Sequence, residues 1–561
     1  PWPASLAFWG CRGERGIPMN FEEKLRQKQY AALWEEYCGF LDLSVKEYME
    51  IQKRLMEEQI QLWSASPLGL RLLKGKRPRT IEEFREALPL TTYEDYAPDL
   101  LARRGDLLPM EPVLWIETTW EGGRHPVKVA PYTKTMLDVY RNNVMAIFML
   151  ATSSGRGDFN IRPGDRMLYG LAPLPYATGL LPLLLEAEIS LEFLPPVKSA
   201  EKMSFRERNK AGFQMGARKG IQLFFGLSSV AAYIGESFGS ASSGGGGLKD
   251  LFRTHPRMIW RYLAARYRSR KEGRNILPKD LFPLKGFVCA GTDSGAYKKR
   301  LEELWGRKPL EISAGTEPTC IATETWEKQG MVFFPDACFY EFIPEEEMLR
   351  NREDPSYQPR TYLMDEVVPG KIYEIAITVL KGGAFARYRV GDLYRCLPSG
   401  VGTEGLSLPK FQFLDRVPGV IDIAGFTRIT ENSIREVISL SGLKIREWIA
   451  AKEFNEDNKP FLHLVVEMEP EAPQTTALSR QILEAHLSIY FSYKDSDYSD
   501  LKKLLGIDPL VITILQEGTF QLFRQETGIS LPRVTPPPHD FMELLRFREH
   551  YRESGRVVRP S

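Results

Sequence analysis

From Val113 onward, short apolar segments alternate with amphipathic ones, and this alternation narrows the folds open to the chain. Residues 127–129 and 166–171 have the length and composition of strands. Residues 135–150 and 180–186 have the length and apolar spacing of helices. Strands that alternate with helices are typical of α/β folds with largely parallel sheets. We therefore predict an α/β fold.

The pattern changes near Arg416, which predicts a domain boundary there. The chain has 561 residues, whereas a domain typically has roughly 150. Beyond the boundary, a strand-like segment at 461–466 and a helical one at 479–490 indicate a smaller α+β unit. We predict a large multi-sheet core over residues 19–415 and a small C-terminal domain over residues 416–561.

Composition excludes several classes of protein. The net charge of +1 gives no field that would argue for a nucleic-acid partner, and the basic run 266–274 is explained by a solvated helix face. The longest apolar runs are too short to span a bilayer. Six scattered cysteines without a CxxC pair indicate a reducing compartment. We predict a cytoplasmic protein with no membrane span and no nucleic-acid partner.

The segment Tyr388-Arg-Val-Gly-Asp392 carries the most specific chemical signal. It follows a Gly-Gly turn at 382–383 and precedes the predicted boundary. A carboxylate such as Asp392 can accept hydrogen bonds from two neighbouring ribose hydroxyls, and Gly391 permits a tight turn beside it. The alternative interpretation is an ordinary surface turn.

A second segment, 118–128, combines small and hydroxyl residues with a lysine. Small residues let backbone N–H groups approach phosphates, hydroxyls add donors, and a lysine neutralises charge. The candidates for phosphate binding are Thr118, Thr119, Gly122, Gly123 and Lys128. Trp120 and Glu121 interrupt the segment, and a carboxylate repels a triphosphate unless a cation offsets it. The alternative is a simple hairpin turn.

A third segment runs from Ser313 through Ala314, Gly315 and Thr316 to Glu317. It follows a predicted helix and strand. A carboxylate near phosphates suits a hard cation such as Mg²⁺. The alternative is that Thr316 and Glu317 cap a helix.

In order and spacing, these segments resemble the core motifs of adenylate-forming enzymes. The resemblance is closest to the auxin-responsive-promoter family of acyl-acid amido synthetases, with phenylacetate–CoA ligase-like enzymes next, and it covers about Thr91 to Pro536. The strand Phe339–Ile343 with the acidic run after it is particularly similar to the amido synthetases. The resemblance implies ATP and Mg²⁺ as cofactors, with coenzyme A as a further candidate. It also implies an AMP-forming ligase whose small domain is a mobile lid.

The resemblance also implies roles for individual residues. Residues 313–316 would line the adenine, Glu317 would hold Mg²⁺, and Asp392 would bind the ribose. Lys128 and Arg416 would act in catalysis, and Arg416 would also contact ATP. Tyr176, Thr178 and Ser228 fall where relatives line the acyl pocket. Relatives often end in Tyr-Lys-x-Pro-Arg, but Ser530 replaces that lysine here.

These observations lead to three hypotheses about the function, and we prefer the first. The chain would activate a small carboxylic acid as an acyl-adenylate and transfer it to an amino acid. Alternatively, the acceptor is the thiol of coenzyme A, or the chain is a catalytically weak relative that binds a nucleotide or an acyl group. An oxidoreductase has little support because no GxGxxG opens a strand–helix unit.

Overall fold

The computed structural model describes most of the chain and divides it into two compact units. The described residues are 19–118, 125, 127–169, 171–241, 255–291, 294–400, 402, 405–417, 419–423, 427–469, 476–494 and 509–554. One unit comprises the described residues within Pro1–Thr118 and Lys128–Asp415, and the other those within Thr119–Val127 and Arg416–Ser561.

The described strands form four sheets. In chain order they are β1 Leu114–Glu117, β2 Val129–Tyr132, β3 Arg166–Tyr169, β4 Glu192–Leu194, β5 Leu223–Leu227, β6 Gly286–Ala290, β7 Leu310–Gly315, β8 Thr319–Glu324, β9 Met331–Phe333, β10 Cys338–Pro344, β11 Ile372–Val379, β12 Tyr388–Cys396, β13 Phe411–Arg416, β14 Val420–Ile423, β15 Thr427–Thr430, β16 Ile445–Phe454, β17 Pro460–Met468 and β18 Leu510–Leu515.

The largest sheet has eleven strands, in the order β10-β11-β12-β13-β9-β8-β7-β6-β5-β3-β4. Strands β3 to β7 pair in parallel. From β7 the pairing becomes antiparallel through β8 and β9, and β10, β11 and β12 also pair antiparallel. The predicted α/β class is confirmed. The expectation of largely parallel sheets was wrong, because hairpins rather than helices connect β7, β8 and β9.

Helices occur in both units. They are Phe21–Arg26, Tyr30–Cys38, Val45–Ala65, Pro67–Leu72, Ile81–Ala87, Ala97–Leu101, Lys134–Thr152, Leu180–Glu186, Val197–Ala200, Phe205–Lys219, Ser228–Ala241, Pro256–Lys271, Pro278–Leu281, Ser294–Trp305, Glu345–Glu353, Glu431–Ser441, Thr476–Lys494, Thr519–Thr527 and Pro538–Ser554.

The helix Lys134–Thr152 shows how the sequence determines the local structure. The hydroxyl of Thr133 accepts a hydrogen bond from the N–H of Met136 and so caps the helix. Its last ten residues, 143–152, are all buried, and the helix packs against β6 and β8. A helix that is apolar all round must lie inside the core. The prediction of a helix at 135–150 is therefore confirmed.

One predicted strand was misplaced. The sequence predicts a hairpin of two strands, Ile372–Leu380 and Ala384–Tyr388, joined by a turn at 381–383. The first strand is present as β11, but β12 begins only at Tyr388 and continues to Cys396. The backbone at Arg387 has a φ of 46°, in the left-handed region, which interrupts an extended strand. As a result, the Tyr388–Asp392 segment lies inside a strand and not in the turn after it.

The second unit has its own small sheet and core. Strands β16 and β17 pair antiparallel, and β17 and β18 pair in parallel. Ile449, Val465 and Phe520 are among the residues buried in its core. A small sheet with helices packed on it is an α+β arrangement.

Two further observations concern the length of the helices and the state of the cysteines. None of the described helices is long and apolar enough to cross a membrane. Among the described residues, all five cysteines are free and buried. Burial raises the pKa of the Cys396 thiol to about 11, so this thiol stays protonated near neutral pH.

A buried charge network joins the N-terminal helices to the sheet. Glu341, on β10, is 1% exposed, and its two oxygens accept hydrogen bonds of 3.0 Å from Nε and Nη2 of Arg387. Arg85 Nε adds a third bond of 3.0 Å, and the Thr361 hydroxyl a fourth of 2.6 Å. Arg387 Nη1 also donates to the carbonyl of Leu88 at 2.6 Å. A buried carboxylate is tolerated only when it is paired in this way.

The first prediction is that Glu341→Gln lowers the free energy of unfolding by about 3 kcal/mol, since it leaves Arg387 buried without its counter-charge. Burial opposes ionisation, but Arg387 and Arg85 outweigh it and hold the pKa of Glu341 below its usual range. The folded state therefore favours the ionised form, and this stability is present at neutral pH and lost as the pH falls below about 4. Urea unfolding of wild type and variant should show a gap that narrows in acid.

The matched control is Glu346→Gln, an exposed carboxylate a few residues along the chain. It should change the free energy of unfolding by less than about 0.5 kcal/mol. Equal effects of the two substitutions would contradict the structural role of Glu341.

Candidate active site

The Tyr388–Asp392 segment forms a bulge in β12. Glu374 of β11 pairs with Leu393, and Ala376 pairs with Arg389. Ile375 alone therefore faces the three residues 390–392 of the partner strand. Gly391 has a φ of 82°, a conformation that glycine adopts without strain. Bulges bend a strand and redirect its side chains, and they are common beside active sites.

The arginine of the segment holds this bulge in place. Arg389 Nε donates to Glu374 Oε1 at 2.8 Å, and Nη2 donates to Oε2 at 2.5 Å. Its Nη1 donates to Asn351 Oδ1 at 2.6 Å. Glu374 is buried, with 1% of its surface exposed. This two-pronged pairing fixes geometry as well as charge, so we assign Arg389 to the structure of the bulge.

Tyr388, the first residue of the segment, contacts Glu317 of the third predicted segment. The hydroxyl of Tyr388 donates to Glu317 Oε1 at 2.7 Å, and Lys128 Nζ lies 3.4 Å from the same oxygen. Glu317 and Tyr388 are buried, with 8% and 2% of their surface exposed. Three segments that lie far apart in the sequence thus meet at one carboxylate.

Tyr93 completes the surroundings of Lys128. Lys128 Nζ lies 5.6 Å from the centre of the Tyr93 ring, a distance at which the ring attracts a cation. The Tyr93 hydroxyl accepts from the N–H of Val129 at 2.6 Å. Burial, and secondarily the Glu317 charge, raise the pKa of Tyr93 to about 12. Tyr93 is therefore neutral at physiological pH and presents an uncharged ring to the lysine.

The predicted phosphate segment connects two paired strands. β1 and β2 are antiparallel, from Leu114↔Tyr132 to Glu117↔Val129. The Thr118 hydroxyl accepts from the N–H of Lys128 at 3.0 Å, which extends the pairing to the first and last residues of the segment. The predicted residues Thr119, Gly122 and Gly123 lie outside the described residues, as do Trp120 and Glu121.

The third predicted segment forms the end of a hairpin. Ser313 to Gly315 belong to β7, residues 316–318 form the turn, and β8 follows. The helix-cap interpretation of Thr316 and Glu317 was therefore wrong. The Thr316 carbonyl accepts from Tyr132 at 2.8 Å. Ser313 Oγ lies 2.6 Å from the Tyr394 hydroxyl, and Ala314 is exposed.

Two of the predicted acyl-pocket residues lie beside the carboxyl end of β3. The connection after β3 runs to β4 on one side, and the connection after β5 runs to β6 on the other. Such switch points are where open α/β sheets bind ligands. Tyr176 follows β3 and bridges to Glu117, whose N–H donates to the carbonyl of Pro175 at 2.9 Å. The hydroxyl of Thr178 donates to the carbonyl of Ala172 at 2.8 Å. Tyr176 thus lies next to Thr118, on the side of the phosphate segment.

The third acyl-pocket residue has a different environment. Ser228 follows β5, is 3% exposed, and its hydroxyl donates to Ser294 Oγ at 2.9 Å. Ser294 in turn donates to the carbonyl of Gly291 at 2.8 Å. This chain joins the loops after β5 and β6. Arg416, also predicted for the site, is the last residue of β13 and opens the second unit's range Arg416–Ser561.

Several residues of the site escaped the sequence analysis. Tyr93 and Tyr132 contact Lys128 and Thr316, but single tyrosines carry no motif. Glu341 offered a signal that was not used: it is a carboxylate inside the apolar strand Phe339–Ile343. A charge at such a position predicts a buried partner.

Comparisons with known proteins bear on both fold and family. The fold is similar to that of a solved 2-hydroxyisobutyryl-CoA ligase, with a TM-score of 0.53 and 17% identity over 87% of this chain and 93% of that one. A solved acyl acid amido synthetase, AtGH3.15, gives a TM-score of 0.48 and 14% identity over 95% of this chain and 97% of that one. The rice (Oryza sativa subsp. japonica) jasmonoyl–L-amino acid synthetase GH3.5 is 26% identical over 248 residues, 40% of this chain. That match spans 39% of the rice protein's length.

The multi-strand α/β architecture is that of the solved 2-hydroxyisobutyryl-CoA ligase. Within it, residues 331–416 match the GH3 family central domain. This range begins at β9, ends at β13, and contains the whole Tyr388–Asp392 segment. The predicted resemblance to the acyl-acid amido synthetases is thereby confirmed.

A second prediction tests the convergence on Glu317. A hydrogen bond to a charged group contributes about 1.5–3 kcal/mol, so Tyr388→Phe and Glu317→Gln should not be additive. A double-mutant cycle on the free energy of unfolding should give a coupling of about 1–3 kcal/mol. As control, Tyr340→Phe removes a buried hydroxyl that donates to the carbonyl of Phe334, and it should be additive with Glu317→Gln. Additivity of Tyr388→Phe would refute the contact.

Proposed function

We propose that the protein activates a carboxylic acid with ATP as an acyl-adenylate and transfers the acyl group to the amine of an amino acid. The observation that carries the proposal is the meeting of Lys128, Glu317 and Tyr388, from three distant segments, at one carboxylate. A structural turn, a capping motif and a surface turn would have no reason to converge there.

The charges at this point suit a triphosphate and a metal ion. Lys128 supplies the positive charge, and the start of the phosphate segment at Thr118 lies next to it. Magnesium is commonly held by one or two carboxylates together with phosphate oxygens, and Glu317 supplies one carboxylate. We propose that Glu317 helps to hold Mg²⁺, which would offset negative charge on the phosphates when bound. Lys128 is 3.4 Å from Glu317, a long contact that a bound ion would replace at little cost.

We assign the ribose to Asp392. Its carboxylate lies in the bulge, directly after Gly391, and it is partly exposed. Paired ribose hydroxyls are two donors that one carboxylate can accept. The exposed Ala314 and the neighbouring Gly315 offer a small surface for the adenine, and Ser313 stands where the resemblance implies an aromatic residue. Thr119, Gly122 and Gly123 remain predicted phosphate donors.

The proposed reaction has two displacements. A carboxylate oxygen of the acid attacks the α-phosphorus of ATP, the bond to the β-phosphate oxygen breaks, and pyrophosphate leaves. The amine then attacks the acyl carbon, the carbon–oxygen bond to the phosphate breaks, and AMP leaves with that oxygen while the amine loses a proton. The side chains mainly position the reactants and neutralise charge.

The binding site for the acid and the identity of the acceptor complete the proposal. Tyr176 and Thr178 flank the switch point of the sheet, which supports a role in binding the acid, while Ser228 donates its hydroxyl internally and would contribute packing. The amino-acid acceptor follows from the resemblance to amido synthetases, and the CoA thiol is the alternative. We further propose that residues 19–415 form the core and residues 416–561 a mobile lid, with Arg416 acting at the hinge and on the phosphates. A cytoplasmic location is also predicted.

The third prediction is exchange of labelled pyrophosphate into ATP. Purified full-length protein with ATP and Mg²⁺ should show exchange with at least one member of a panel of aryl and fatty acids. Asp392→Asn should reduce exchange about 10- to 100-fold, since charge-assisted hydrogen bonds to the ribose contribute about 1.5–3 kcal/mol. The effect should appear mainly in the KM for ATP.

The matched control is Asp365→Asn, an exposed carboxylate of the same unit, which should leave exchange unchanged. Adding each amino acid or coenzyme A to the active mixture and identifying the product by mass spectrometry separates an amide from a thioester. Folded wild-type protein that gives no exchange with any acid would refute the proposal and favour a binding protein.

A further inference from the structure

The helix Pro256–Lys271 in the first unit has an unusual outer face. Its inner side buries Met258, Ala265 and Ser269. Its outer side exposes Trp260 by 74% and Tyr267 by 72%. Leu263, between them, is exposed by 51%. Residues three and four positions apart lie on one line of a helix, so these three form a continuous apolar ridge.

Within this helix, the charged residues are all positive. The helix contains no acidic residue, and its basic residues are Arg257, Arg261, Arg266, Arg268, Arg270 and Lys271. Arg261 is half-buried and donates to the carbonyl of Leu281, and the exposed Arg268 donates to the carbonyl of Asp280. The other four are exposed, and no ion pair involves them among the residues that the structure describes. A solvated helix face, as the sequence suggested for 266–274, would not place a tryptophan, a leucine and a tyrosine among these charges.

We propose that this helix docks the protein on an anionic membrane surface. Tryptophan and tyrosine favour the boundary between headgroups and acyl chains, and a leucine between them adds apolar surface to bury. Arginine and lysine beside the ridge can extend to anionic headgroups while their stems remain in contact with lipid. Since none of the described helices can span a bilayer, the contact is peripheral.

The same observations disfavour two other partners. In a symmetric dimer through this face, two helices with the same positive charge would oppose each other, which costs free energy. Single-stranded nucleic acid is bound by grooves that combine basic residues with stacked aromatic rings. Here Leu263 separates the two rings, and the ridge is one outer helix face rather than a groove.

The experiment is co-sedimentation of the full-length protein with vesicles. Binding is expected to vesicles that contain phosphatidylserine, to be weak with phosphatidylcholine alone, and to fall as salt is raised, because salt screens surface charges. Each basic residue near such a surface contributes about fivefold to binding. Arg266→Gln/Arg270→Gln/Lys271→Gln should therefore weaken binding about 100-fold, and Trp260→Ala/Tyr267→Ala should abolish it at the same lipid concentration.

The matched controls remove exposed charges or an exposed apolar side chain from other helices. Lys46→Gln/Lys53→Gln removes exposed charges from another helix, and Ile489→Ala removes a side chain that is 67% exposed. Both should bind as wild type does. Circular dichroism should show that all variants are folded, because the substituted side chains face solvent.

Trp260→Phe separates insertion from simple adsorption. The protein has ten tryptophans, but brominated lipids quench only those at the acyl boundary. Wild type should be quenched, and Trp260→Phe should bind normally while losing the quenching. The proposal would be overturned if the protein did not bind anionic vesicles, or if the control variants weakened binding equally. It would also be overturned if the same residues were needed for a concentration-dependent dimer or an oligonucleotide complex in place of vesicle binding.

Discussion

The ion pair between Arg387 and Glu341 is the interaction on which the candidate site depends. Both groups are buried, and they pair through two hydrogen bonds of 3.0 Å. Arg387 immediately precedes Tyr388 and has a left-handed backbone at a φ of 46°. An ion pair removed from water is held tightly because either charge alone would be costly. The pair therefore fixes where β12 begins, and with it the position of every residue in the bulge.

The residues of the Tyr388–Asp392 segment have different roles. Arg389 pairs with Glu374 and ties the bulge to β11. Tyr388 reaches the β7–β8 turn at Glu317, and Gly391 adopts the backbone that the bulge requires. This leaves Asp392 as the residue of the segment assigned to the nucleotide. The Tyr-Arg-x-Gly-Asp pattern thus combines structural positions with one proposed binding position.

The sequence predicted the regular elements well because their signals are local. The helix at 135–150 and the strand at 461–466 follow from the spacing of apolar residues, and both are present. The start of β12 and the bulge could not be predicted, since they depend on the pairs Arg387–Glu341 and Arg389–Glu374, each of which joins segments that are apart in the sequence. The antiparallel pairing of β7, β8 and β9 was not predicted, because β8 is buried along its whole length, as parallel strands are. The convergence of Lys128 and Tyr388 on Glu317 likewise depends on contacts between distant segments.

The central claim is that a carboxylate oxygen of the acid attacks the α-phosphorus of ATP at this site. The most direct measurement uses an acid that supports pyrophosphate exchange, labelled with ¹⁸O in its carboxyl group, and analyses the nucleotide product by mass spectrometry. The account predicts AMP that carries one ¹⁸O atom, whichever acceptor takes the acyl group. Unlabelled AMP, or ¹⁸O in inorganic phosphate together with ADP, would contradict it.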